Sequence, residues 1–284
     1  MELSQIDPRI IASDCDGLVV GGDIKIGGQK RVWQCAYKQS AYVLKALMAD
    51  ESTLRRVKRE LAIMEVCRSP YLPRLGPLPL RELITPDGSH ILYFLEEHID
   101  GMPLASLAKP MPWLDVVSLG LCISEALDIL STNGYVHRDV KPMNIIQKTS
   151  SIYVLLDAGF ALARHDDTIT SSGKVVGTSA YLSPEQITLP AKQLDVRSDL
   201  FALGITMYQY GTGVHPFFND DTPQGDVVRN IMECDCPSPD RLHDQLPVSL
   251  GNVILRMLRK SREERYATLE DFRNDLRLVH RQEA

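Results

Sequence analysis

No apolar run in the 284 residues approaches the ~18 that a membrane-spanning helix needs. No C-x-x-C or H-x-x-x-H spacing marks a zinc site, no period of 20 to 50 residues repeats, and no segment is low in complexity. Excess positive charge is missing too: 31 Lys and Arg against 37 Asp and Glu leave −6. That balance excludes an overall electrostatic preference for nucleic acid. The first 16 residues carry acids where a signal peptide carries an apolar core, so no export is expected. These absences together predict a cytoplasmic chain with neither nucleic-acid nor membrane partners. The six cysteines suit that compartment. Four are isolated, Cys234 and Cys236 sit too close to pair with each other, and reduced thiols are the expectation. What is present is a globular composition, 44% hydrophobic and 24% charged, enough for a sizeable core.

The first ~100 residues read as short strands. Leu18–Ile26, Arg31–Tyr37, Ala41–Leu47 and Ile91–Glu96 are rich in β-branched and aromatic residues. One helix interrupts them, from about Asp50 to Arg68, with Leu54, Val57, Leu61 and Met64 stepping by three and four along one face. Beyond residue 100 the pattern turns helical, at Trp113–Ser131, Leu200–Tyr210, Asn252–Arg259 and Leu269–Val279. A strand-rich piece followed by a longer helical piece predicts an α+β protein of two lobes with a cleft.

Chemistry concentrates in Val136-His137-Arg138-Asp139-Val140-Lys141-Pro142-Met143-Asn144. Apolar Ile145, Ile146, Val154 and Leu155 flank these polar groups, which places them at the lip of a core. Asp157 follows from an apolar strand. Asn144 and Asp157 are hard oxygen ligands of the kind Mg²⁺ takes alongside phosphate oxygens. Asp139 is then left to orient a hydroxyl nucleophile and accept its proton, and Lys141 to neutralise a transferring phosphoryl group. Lys45 lies mid-strand in apolar surroundings, where an unpaired ammonium is costly, and Glu60 shares the inward face of the helix with Val57 and Met64. The two read as partners, either as a plain buried ion pair or with Lys45 also reaching phosphates.

At these residues the sequence resembles the eukaryotic-type (Hanks-type) Ser/Thr protein kinases, the bacterial members most of all, from about Leu18 to Leu278. His137–Asn144 matches the H-R-D-x-K-x-x-N catalytic loop, Val43-Leu44-Lys45 the strand with the phosphate-binding lysine, and Glu60 its helix partner. Gly177–Glu185 resembles the end of the activation loop, with Ser183 where the family usually has alanine. Asp199 matches the aspartate that braces the catalytic loop, and Arg265 the late partner of Glu185. The resemblance implies a β-rich N-lobe over residues 1–98, of which 1–17 are a leader, and a helical C-lobe over 99–284, together one kinase domain. It implies Asp139, Lys141, Lys45, Glu60 and Thr178 as catalytic residues, Thr178 bonding near Asp139 and Lys141. Gly27, Gly28, Val32, Lys45, Glu97 and Ile99 are implied to bind ATP, and Asn144 and Asp157 to hold Mg²⁺. The implied partner is a protein with a Ser or Thr acceptor, and self-association would serve self-phosphorylation in trans.

Two departures from the pattern matter. Only the middle glycine of G-x-G-x-x-G is kept, as Gly27, while Lys25 and Lys30 take the outer places, either holding phosphates or simply solvated. Ala158 replaces the aromatic of D-F-G. Glu96 stands where the residue at the back of the adenine pocket is expected, either paired or water-exposed. The two departures keep open a nucleotide-binding pseudokinase, a scaffold or switch. A small-molecule phosphotransferase on a related fold is the third reading.

Overall fold

Alternation along the strands after Leu18 sorts their side chains onto two faces, and each face is covered by a different helix. The computed structural model describes residues 5–26, 30–157, 162–163, 180–219, 221–223 and 226–283. The chain divides into two units, Met1–Arg68 with Pro73–Asp100, and Ser69–Leu72 with Gly101–Ala284.

The first unit is built on an antiparallel sheet of β1 (Leu18–Ile26), β2 (Arg31–Tyr37), β3 (Ser40–Met48), β4 (Arg81–Ile84) and β5 (His90–Glu97), in the order β1-β2-β3-β5-β4. Trp33 pairs with Leu44, and Leu44 with Leu95. Those side chains share one face with Ala46 and Tyr93, because residues two apart on a strand point the same way. This face is covered by helix α1 (Pro8–Asp14), whose Asp7 cap accepts the Arg9 N–H at 2.9 Å. Ile6 and Ile11 are fully buried against the sheet. Polar ties fix the segment as well: Arg31 Nη1 donates to the Ile6 carbonyl at 2.8 Å, and the Tyr93 hydroxyl donates to Asp14 at 2.5 Å. The residues expected to form a leader thus include part of this unit's core.

Helix α2 (Glu51–Val66) covers the opposite face, capped by Asp50, which accepts the Thr53 N–H at 2.7 Å. Val57 packs there with Leu47, Leu92 and Phe94. Its fully inward residues are Val57, Glu60, Ile63 and Met64; Leu54 and Leu61 flank them, half-buried.

The second unit is centred on α3 (Trp113–Thr132). Short strands β6 (Met102–Pro103), β8 (Ile145–Thr149) and β9 (Ile152–Leu155) form a three-stranded sheet, and β7 (Tyr135–Val136) pairs with β10 (Leu162–Ala163). The helices that follow are α4 (Pro184–Thr188), α5 (Val196–Thr212), α6 (Asp226–Glu233), α7 (Val248–Met257) and α8 (Leu269–Glu283). Packing against α3 and α7, α5 is buried almost all round, as its run of apolar residues predicts. It starts earlier than the apolar run because Asp195 caps it, and it ends at Gly213, whose φ of +88° suits glycine. Gly204 lets α5 approach α7: a Cβ there would lie 2.8 Å from Met257 Cβ. Helix α7 begins four residues before the expected Asn252, directly after Pro247. Among the described residues no helix is long and apolar enough to cross a membrane.

Candidate active site

In the second unit, the polar loop after β7 is held from beneath by a buried carboxylate. Asp199, one turn into α5, accepts the backbone N–H of His137 at 2.8 Å and of Arg138 at 2.7 Å. Burial pushes the Asp199 carboxyl above its ordinary value, while the two N–H groups it accepts pull it down. Those bonds secure a strained bend, since Arg138 has a φ of +70°, a left-handed value costly for any residue with a Cβ. The Gln186 side chain adds a bond to the Arg138 carbonyl at 3.1 Å. His137 is fully buried; its Nδ1 accepts from the Asp139 N–H at 3.3 Å, so Nε2 carries the proton toward the Leu156 carbonyl at 3.2 Å.

The bend aims Asp139 at two donors. Lys141 Nζ meets its Oδ1 at 2.8 Å and Asn144 Nδ2 its Oδ2 at 2.8 Å. Asn144, in the 3₁₀ turn Pro142–Asn144, also donates Nδ2 to the Asp139 carbonyl at 2.9 Å. With its nitrogen so used, the carboxamide presents Oδ1 as an oxygen ligand, which fits a hard cation. The Leu156 N–H bonds the Asn144 carbonyl at 2.7 Å, bringing Asp157 (φ +67°) beside this turn. The second unit therefore brings Asp139, Lys141, Asn144 and Asp157 together. Thr178 lies outside the described residues, as do Gly27, Gly28 and Ala158.

A second buried carboxylate anchors α4 in the same unit. Arg265 forks onto Glu185 at 2.7 and 2.9 Å, and Ser198 Oγ donates to Glu185 at 2.8 Å. Burial raises the Glu185 carboxyl, but the Arg265 bonds and charge outweigh it and hold the group below its usual value. Ser183, a departure from the family pattern, caps α4: its Oγ accepts the Gln186 N–H at 3.3 Å, and the Gln186 side chain accepts the Ser183 N–H at 3.0 Å.

In the first unit, Lys45 meets Glu60 at 3.3 Å, as the inward faces of β3 and α2 imply. It meets Glu96 more closely, at 2.5 Å, so of the two environments open to Glu96 the structure has the paired one. Burial pushes the Glu96 carboxyl above its ordinary value, against the pull of Lys45. Lys30 is not solvated either: its ammonium lies 3.2 Å from Glu60. Val32 sits beside Lys45 across the β2–β3 ladder. The Glu97 N–H is engaged by the Arg74 carbonyl at 2.9 Å, and Ile99 follows just beyond the end of β5. The pairing of Lys45 with Glu96, the capping by Ser183 and the Gln186 bond to Arg138 were not read from the sequence. A polar residue amid the apolar run of β5 was the one available signal.

A β-sheet unit bearing a buried Lys–Glu pair, followed by a helical unit with a braced His-Arg-Asp loop, defines a class. Residues 21–275 match the protein kinase domain, and the chain belongs to that family. Among its relatives, the serine/threonine-protein kinase PknB of Mycobacterium leprae is 35% identical over 209 residues, covering 72% of this chain and 31% of the relative. PknB of Mycobacterium tuberculosis is 33% identical over 244 residues, 84% of this chain and 38% of the relative. A probable serine/threonine-protein kinase of Clostridium perfringens is 30% identical over 233 residues, 81% and 32% of the two chains. The chain spans about a third of the length of these curated relatives.

Proposed function

We propose that this protein transfers the γ-phosphoryl group of ATP to Ser or Thr hydroxyls of protein substrates. The observation that carries this reading is Asp139, its carboxylate fixed between Lys141 at 2.8 Å and Asn144 at 2.8 Å on a loop braced by Asp199. Asp139 orients the acceptor hydroxyl and takes its proton. Lys141, already beside that carboxylate, offsets charge on the phosphoryl group in transit and favours Ser and Thr acceptors. Lys45 positions the nucleotide phosphates, Val32 and the backbone of Glu97 and Ile99 contribute to nucleotide binding, and Glu60 orients Lys45. Asn144 and Asp157 would hold Mg²⁺, which when bound neutralises and aligns phosphate oxygens.

The serine/threonine names of the relatives support the acceptor class. Thr168, Thr170, Ser171 and Ser172, outside the described residues, supply hydroxyls for self-phosphorylation between two copies, and Arg138 is the fork that would take the phosphate.

Incubating the purified chain with γ-labelled ATP and Mg²⁺, alone and with a generic basic protein, tests the reading. Label is expected on phosphoserine or phosphothreonine of the added protein. A folded chain that binds nucleotide yet labels neither itself nor the substrate would establish the pseudokinase instead.

A further inference from the structure

An ammonium has three N–H donors and no acceptor, and both Glu96 and Glu60 draw on that of Lys45. The nearer is Glu96 at 2.5 Å; Glu60 lies at 3.3 Å. Strand register sets this order. Lys45 stands opposite Phe94 and Val43 opposite Glu96, which makes Lys45 and Glu96 diagonal neighbours on the face that α2 covers. Both belong to one hydrogen-bonded ladder. Glu60 reaches them from α2 and divides its Oε1 between Lys45 and Lys30. The Lys45 and Glu96 side chains are only 6% and 5% exposed, so water screens their attraction little. A carboxylate this close cancels much of the field that an incoming anion would feel from the ammonium.

Resting on the kinase reading of Lys45, we propose that Glu96 sets phosphate affinity in the nucleotide site: it holds the Lys45 ammonium and competes for it with the phosphates of a bound nucleotide. The ligand class affected is the nucleoside polyphosphate. A nucleoside without phosphates has nothing to exchange for Glu96 and is indifferent to its charge. The contribution of phosphates to binding is accordingly smaller than Lys45 and Glu60 alone would provide. Because Glu96 acts through Lys45, it is a positioning residue, and its charge matters more than its bulk.

Calorimetric titration of the whole chain with ADP in Mg²⁺, and with adenosine, tests this in the wild type, Glu96→Gln and Glu96→Asp. Glu96→Gln is expected to tighten ADP by about tenfold, the low end of the coupling between close charge pairs. Adenosine should stay within about twofold, and Glu96→Asp, which keeps the charge, should remain near wild type. In a Lys45→Met background the gain from Glu96→Gln should disappear, the non-additivity of a contacting pair. ADP affinity that is unchanged or weaker in Glu96→Gln overturns the proposal, as does an equal shift for adenosine. If thermal melting shows Glu96→Gln unfolded, Glu96→Met removes the same charge and carries the same comparison. Wild-type protein that binds no ADP would remove the kinase reading and the proposal with it; ADP binding indifferent to Glu96→Gln removes the proposal alone.

Discussion

Arg265 and Glu185, 80 residues apart, face each other through two parallel hydrogen bonds of 2.7 and 2.9 Å in the buried interior of the helical unit. The guanidinium also serves the carbonyls of Arg259, Lys260 and Arg197 and lies 4.7 Å from the Phe201 ring centroid. Truncating one partner strands a buried charge, which typically costs ~3–5 kcal/mol. Arg265→Ala is expected to lose about that much in urea unfolding, and a loss below 1 kcal/mol would class the pair with exposed ion pairs.

The same pair predicts an acid limb of stability. The folded Glu185 carboxyl lies below its ordinary value, so the unfolded chain binds the proton more readily. Stability from this group is complete above about 4.3, where an unfolded Glu titrates, and it is lost as pH falls through the lower folded value. The stability gap between wild type and Glu185→Gln should therefore be full at pH 7 and shrink below about pH 4. Unfolding free energies across pH 3 to 7 check the sign; a gap that widens on acidification would contradict it.

Asp139→Asn keeps the shape of the loop and removes the base proposed above. A drop in kcat of ~10²–10⁴ is expected, the usual range for a general-base contribution, with Tm little changed. Turnover at the wild-type level would reassign the base.

Asp199→Ala leaves the N–H groups of His137 and Arg138 without their buried acceptor. Each unsatisfied group costs ~1–3 kcal/mol. Because the bend at Arg138 aims Asp139, kcat is expected to fall more steeply than KM rises. Steady-state kinetics normalised to the folded fraction from a denaturation curve separate this from plain destabilisation, which would leave kcat per folded molecule unchanged.

Ile11→Ala tests whether the residues ahead of β1 belong to the fold. Ile11 is fully buried against the sheet, and emptying such a site costs ~2–5 kcal/mol. A substitution without effect on the urea midpoint would return the segment to the status of a leader.

Much of this protein is legible along the chain because its chemistry is sequence-local. His137, Asp139, Lys141 and Asn144 lie within eight residues, and a short loop cannot carry them far apart. Period-two strands and period-three-to-four helices likewise announce themselves, since each residue's face follows from its neighbours' spacing. That spacing puts Glu60 on the inward face of its helix with Val57 and Met64. Pairing across distance is different in kind. Lys45 and Glu96 are 51 residues apart and meet only because β3 and β5 pair in one register; a shift of a single residue would put Glu96 on the α1 face. Lys30 leaves solvent for Glu60, and Ile6 and Ile11 leave a supposed leader for the core, for the same reason. A side chain's type and face are properties of the local chain. Its partner is chosen by whatever the folded backbone sets within about 3 Å, the reach of a hydrogen bond, and only the tertiary structure decides that.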